Sequence, residues 1–191
     1  MRQDAARNRR AILLATEDLL SRHRPDEVTI EQVAAAAGVG KGTVFHRFGS
    51  RMGLMLALMQ ERALELAEAV RSSEPPLGPG APPSDRLLAF LSAMIEVVGR
   101  NKGLLAALGQ DVASMPKPHD GPSRENPTYQ TWHAHISTLL TQARPDLDAE
   151  LLADLLLASL RSDQVLDLLE HGETTRLTAA LHTLANGILH T

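Results

Sequence analysis

Proline cannot sit inside an α-helix without removing a hydrogen bond and clashing with the preceding turn. In this chain the prolines fall at 25, within 75–83, within 116–127 and at 145, and nowhere else. The runs between them carry apolar residues every three or four positions, and strand-like alternation is scarce. Ala, Leu, Glu and Arg, which lose little side-chain freedom in a helix, are abundant in those runs. A chain so punctuated is expected to be all-α.

The periodicity predicts a first helix over about 5–22, with Ile12, Leu13, Thr16, Leu19 and Leu20 forming its inward stripe. The next start is the best marked. Thr29 can cap, Gln32 follows three residues on as in a capping box, and Val28 and Val33 flank them as a hydrophobic staple. That helix is expected to end at Ala37, because Gly38 permits the positive φ of a sharp turn. A short helix follows over about 41–47, then a long one over about 50–70 capped by Ser50. The Pro-, Gly- and Ser-rich stretch 72–84 reads as a mobile loop. Further helices are expected over about 84–100, 103–114, 127–143, 148–171 and 175–189, started by Ser84, Asn126-Pro127 and Asp146 or Asp148, with Gly172 as a stop. That makes about nine helices, divided into a head over 1–70 and a body over 71–191.

Composition excludes several classes. The 191 residues contain no cysteine, so disulfides, thiolate metal sites and cysteine nucleophiles are impossible, and a reducing cytoplasm is the expected setting. The apolar run behind the basic start is too short for a signal peptide, and none reaches the roughly 18 residues of a membrane span. Through Arg51 there are 9 Lys and Arg against 6 Asp and Glu, a net of +3, while the remainder carries −7 of the overall −4. A basic head on an acidic body suggests that the head meets a polyanion.

Four helices within some seventy residues, with a tight Gly-containing turn between the second and third, form a helix-turn-helix layout. The crossing must be close, hence Ala34, Ala35, Ala36, Ala37 and Gly38. The third helix must show short polar or basic side chains outward. Lys41, Thr43, His46 and Arg47 suit that, while Val44 and Phe48 return to the core at i, i+4.

The stretch Thr29-Ile-Glu-Gln-Val-Ala-Ala-Ala-Ala-Gly-Val-Gly-Lys-Gly-Thr-Val-Phe-His-Arg-Phe-Gly-Ser-Arg51 resembles, in order and spacing, the TetR-family segment T-x-x-x-I-A-x-x-A-G-V-S-x-G-T-x-Y-x-x-F-x-S-K. With the apolar pattern of the first helix, the resemblance covers about residues 9–58. It implies a DNA-binding transcriptional regulator, by default a repressor released from a palindromic operator by a small-molecule effector. It also implies that Lys41, Gly42, Thr43, Phe45 and His46 face double-stranded DNA, with Gly42 small enough for close approach. Arg47 is grouped with them, and Thr29 and Arg51, each at a helix start, would hold phosphates. Lys41 and His46 are the candidates for base-edge contacts. The chain departs from the pattern in four respects. Gly40 replaces a capping serine, Phe45 a tyrosine and Arg51 a lysine, and Met52-Gly53 lacks an acidic residue after the cap.

Two other readings compete. Gly38-Val-Gly-Lys-Gly-Thr43 looks like the tip of a nucleotide-binding loop in an enzyme, but that motif needs Gly at 35 and Ser or Thr at 42, where Ala35 and Gly42 stand, and a preceding strand. The other is a structural helical bundle that binds no DNA. No paired carboxylates, nucleophile–base set or cofactor loop can be placed, so no enzyme and no cofactor are expected.

In the body, Tyr129, Trp132, His133, Ile136 and Leu140 share one helix face. They read either as core or as an apolar effector pocket with His133 as its polar handle. Met94 and Asp163 complete that candidate pocket. His133 and His135 stand two apart, which a helix turns to different sides, and no metal site is expected. The segment 148–171 carries Leu151, Leu152, Leu155, Leu156, Leu160, Leu166 and Leu169, and the last helix carries Leu177, Leu181, Leu184 and Ile188. That is more than one core-facing stripe needs. The resemblance implies that this helix pair forms a four-helix interface in a homodimer.

Overall fold

A computed structural model describes residues 2–108, 126–160 and 162–190. Among them are nine α-helices and one short 3-10 turn, and no strand. The helices are α1 (Arg2–Leu20), α2 (Ile30–Ala36), α3 (Lys41–Phe48), α4 (Arg51–Ser72), α5 (Pro83–Leu108), α6 (Pro127–Ala143), α7 (Ala149–Ser159), α8 (Asp163–Glu170) and α9 (Thr174–His190). The chain is all-α, as its periodicity requires.

Most starts are fixed by the residues that signal them. Thr29 accepts from the Gln32 amide at 3.2 Å while Gln32 Oε1 accepts from the Thr29 amide at 2.8 Å, a reciprocal box that satisfies two orphan donors of α2. Ser50 Oγ accepts from the Gly53 amide at 3.0 Å. Asn126 Oδ1 accepts from Thr128 at 2.9 Å, and Asp148 Oδ1 from Leu151 at 3.1 Å. Gly172, at φ 77°, closes α8 in the left-handed region open to glycine. Residues 73–82 form turns, with Leu77 packed on the body core.

Two expected boundaries differ. The break at about 100–103 does not exist, since α5 runs through it to Leu108; the rest of the helix expected to 114 lies outside the described residues. A glycine inside a helix costs about 1 kcal/mol, and burying Leu104, 3% exposed, one residue past Gly103 offsets that. Conversely, the single helix expected over 148–171 is two. Ser162 adopts an extended backbone and its hydroxyl accepts from the Val165 amide at 3.4 Å, so it caps a new helix where the periodicity reads straight through.

The chain forms two compact units. One runs to Arg62 and includes the C-terminal part of α5 from Leu104; the other begins at Ala63 on α4. The first unit, the head, packs Ile12, Leu13, Val28, Ile30, Val33, Val44, Leu54, Met55, Leu58 and Leu104 into one core. Buried Thr16 donates to the Ile12 carbonyl at 2.8 Å, closing its hydroxyl within α1. Arg62, only 6% exposed, is held on two sides by Glu17 at 3.0 and 3.1 Å, which ties α4 to α1. The second unit, the body, buries Leu87, Phe90, Leu91, Met94 and Ile95 of α5 with Ile136, Leu139 and Leu140 of α6 and the inner faces of α7, α8 and α9.

Candidate nucleic-acid interface

The geometry of α2 and α3 follows from three local choices. Ile30, Val33 and Ala34 of α2 are buried. Gly38, at φ 66°, supplies the left-handed turn after α2, a conformation that strains any residue with a Cβ. Val44 of α3 is fully buried and Phe48 packs on the same core. With those two side chains directed inward, the opposite face of α3 is left to solvent.

That outer face carries Lys41, Gly42 and His46, all exposed, and Phe45, 42% exposed. Thr43 and Arg47 are half-buried. Lys41 Nζ lies 5.5 Å from the Phe45 ring centroid and forms an ion pair with Glu31 of α2. The hydrogen bond from Lys41 is the first cause that holds the Glu31 carboxyl below the usual carboxylate range. Gly40 precedes α3 with no side chain to cap it. Gly42 has nothing within 4 Å of where a Cβ would stand, whereas a Cβ on Gly53 would lie 1.9 Å from the Phe48 carbonyl oxygen. Gly53 is required by the packing of the head; Gly42 is not.

Thr29 is exposed at the start of α2, its hydroxyl already accepting from Gln32. Arg51 is half-buried at the start of α4. Its Nε donates to the Val28 carbonyl at 2.9 Å and its Nη2 to the Pro25 carbonyl. Arg51 therefore braces the loop before α2 as well as standing at a helix start. Glu31, which faces Lys41, went unremarked in the sequence, although a lysine and a glutamate placed across a tight turn are a readable pair. The nucleotide-loop alternative fails here, since residues 30–36 are helix where that motif needs a strand.

The body residues proposed as a pocket divide. Met94 is buried in the core. Tyr129 donates to Asp154 at 2.5 Å and stacks on His133 at 5.9 Å. His133 Nε2 lies 3.2 Å from both the Asp154 carboxylate and the Glu150 carbonyl oxygen. These residues form a polar network between α6 and α7. Trp132 turns instead to Phe90 of α5, at 6.5 Å, and its indole N–H is buried without a partner. Asp163 is exposed in the first turn of α8. Arg86, which carries no sequence signal, and His135, weighed in the sequence only as a metal partner of His133, also have buried nitrogens without partners among the described residues. Among the described residues no group of three or more His, Cys, Asp and Glu is placed to hold a metal ion, and no helix is long and apolar enough to cross a membrane.

Comparison with known proteins gives the head a specific match. Residues 12–58 match the family described as bacterial regulatory proteins, tetR family. The HTH-type transcriptional repressor AcnR of Corynebacterium glutamicum is 33% identical over 63 residues, which are 33% of this chain and 34% of that protein. The chain thus spans about a third of the length of the curated relatives it matches. Over nearly the whole chain the likeness is one of fold. A transcriptional regulator from Rhodococcus sp. Rha1 superposes with a TM-score of 0.61 at 23% identity, covering 95% of each chain. A tetR-family transcriptional regulator from Streptomyces coelicolor gives 0.60 at 23% identity, covering 95% of this chain and 79% of that one.

Proposed function

We propose that this chain is a TetR-family operator-binding repressor acting as a homodimer, a reading supported by the match of residues 12–58 to that family and by an all-helical fold like that of solved regulators. The observation that carries the reading is α3. Its Val44 and Phe48 anchor it to the head core, so Lys41, Gly42, Phe45 and His46 are free to enter a major groove. Lys41 and His46 read base edges and Phe45 packs on sugar or a thymine methyl, with Thr43 and Arg47 flanking them. Thr29 and Arg51 sit against phosphates. Bases compete with Glu31 for Lys41, so an exchange of ion-pair partners accompanies binding.

Two heads reading the half-sites of a palindrome need a dimer, and exposed leucines of the body suit a second copy. Leu151 and Leu155 stand one turn apart on α7 at 54% and 57% exposure, and Leu184 on α9 is 57% exposed. Large apolar side chains left this open in a folded body are more stable covered by the same surfaces of a partner. An effector held in the body favours a conformation whose heads are spaced wrongly for the operator, which requires only unequal affinity for the two states. The setting proposed is the cytoplasm, where operator DNA is present.

Selection of bound sequences from a random duplex pool, followed by mobility shift, tests the reading. A palindrome should be recovered, and Lys41→Ala should weaken its binding by about five- to hundredfold, as expected for a base contact of about 1–3 kcal/mol. Recovery of no preferred sequence, or wild-type affinity in Lys41→Ala, would remove α3 from the interface.

A further inference from the structure

Among the described residues of the body, three buried nitrogens have no hydrogen-bond partner: Arg86 Nε, Trp132 Nε1 and His135 Nε2. Two of them flank one ring, and the third acts electrostatically on His135. Phe90, one turn after Arg86 on α5, meets His135 edge-on at 4.7 Å and 70°, and meets Trp132 edge-on at 6.5 Å and 80°. Trp132 and His135 are one turn apart on α6, so two neighbouring turns of two helices supply all three atoms. Arg86 Nη2 donates to the Val70 carbonyl at 3.2 Å, and among the described residues no carboxylate pairs with its guanidinium. Each such unmet buried group costs about 1–3 kcal/mol, and three on half-buried side chains of two helices require an explanation.

Their chemistry narrows what could meet them. Arginine and the indole only donate, and His135 donates as well in the tautomer protonated at Nε2. Burial, and then the nearby Arg86 charge, push the His135 imidazole below its usual range, which favours its neutral form. A water that accepts from these donors brings two further hydrogens that need acceptors of their own. A group that only accepts fits best. The side chains of the same helices nearby, Leu87, Phe90, Met94 and Ile136, are apolar and buried.

We infer that the effector is an organic acid with an apolar body, whose carboxylate is held by Arg86, Trp132 and His135 beside Phe90. The inference rests on the reading of the body as an effector-binding unit, and it assigns that unit's ligand chemistry and three of its binding groups. Tyr129, His133 and Asp154 lie outside the site, since they satisfy one another.

Calorimetry on the full-length protein with octanoate and phenylacetate, against 1-octanol and 2-phenylethanol, tests it. The acids should bind and raise the melting temperature, and the matched alcohols should bind at least tenfold more weakly. Arg86→Gln should lower acid affinity at least tenfold. Trp132→Phe, which keeps the ring contact with Phe90 and deletes only the N–H, should lower it several-fold, and it decides the matter if Arg86→Gln does not fold. Equal binding of acids and alcohols, or acid affinity unaffected by both variants, overturns the assignment. So does the failure of both acids to bind a protein that still binds its operator, and the regulator reading then stands. If the acids bind as expected but no operator is recovered, the site stands and the regulator reading falls.

Discussion

Gly42→Ala separates stability from recognition with one methyl group. Gly42 lies inside the eight-residue helix α3, its φ is not positive, and a Cβ there meets nothing within 4 Å. Glycine inside a helix is less stable than alanine by roughly 0.5–1 kcal/mol, so the substitution should stabilise the head by about that amount. For a chain of this size that raises the melting temperature by about 1–4 °C. Affinity should move the other way. If the open side of Gly42 is where the DNA approaches, an added methyl overfills a close contact, and overpacking costs about 1–3 kcal/mol. At about 1.4 kcal/mol per tenfold, that is roughly a five- to hundredfold loss. Thermal melts followed by circular dichroism give the first quantity, and anisotropy titration of a labelled operator at fixed salt gives the second. A variant that melts higher and binds as tightly as wild type would show that α3 does not approach DNA at Gly42. One that melts lower would show that the glycine serves the fold after all.

Arg62→Met should destabilise the head by about 1–3 kcal/mol in denaturant titration, because it strips the paired contact from Glu17 and leaves a half-buried carboxylate; an unaltered midpoint would mean that the pair contributes nothing. Arg51→Ala should lower stability by about 1–2 kcal/mol through loss of its bonds to the Val28 and Pro25 carbonyls. It should also reduce the salt dependence of operator binding by about one unit per head, and an unchanged slope would leave Arg51 a purely structural brace. His135 is held below its ordinary pKa of 6.5 by burial, so the unfolded chain takes up that proton first. Its contribution to stability is therefore intact above about pH 6.5 and is lost as pH falls from there toward the depressed folded value. Melting curves of His135→Gln should fall less steeply over that window than those of wild type, and parallel curves would refute the assignment.

The head could be read from the sequence because its structure is decided within a few residues of each signal. Thr29 and Gln32 cap α2 by touching each other, Gly38 makes the turn alone, and Val44 and Phe48 divide α3 into inner and outer faces. The outer face follows from that division, so Lys41 and His46 could be named before any coordinates, whereas Gly42 and Phe45 come from the family resemblance, and Thr43 and Arg47, expected outward, are half-buried. Arg51 shows where this reasoning stops. Its position at a helix start was legible, but its bonds to carbonyls 23 and 26 residues earlier depend on how the loop before α2 folds back. The body is decided at longer range. Ser162 breaks the segment 148–171 although the leucines continue in register, because a local serine cap prevails over periodicity. Arg86 attracts no notice in one dimension and His135 stands out only as a poor metal partner of His133, since the meeting of His135 with Phe90 depends on α5 packing against α6.

One physical criterion joins the head and the body. In a folded chain most local costs are offset by contacts within the chain, as when Gly53 makes room for the Phe48 carbonyl or Gly38 supplies its turn. Where a cost has no such internal return, the reason lies outside the chain. Gly42 weakens a short helix and leaves empty space beside it, and that space lies on the face of α3 that carries Lys41 and His46. Arg86, Trp132 and His135 each bury one nitrogen that has no partner among the described residues. The first deficit is a gap for a surface to approach, and the second is a set of donors awaiting an acceptor. The regulator proposed above, coupling DNA to a small molecule, would use both, one in each unit, and neither is needed for the helices to fold.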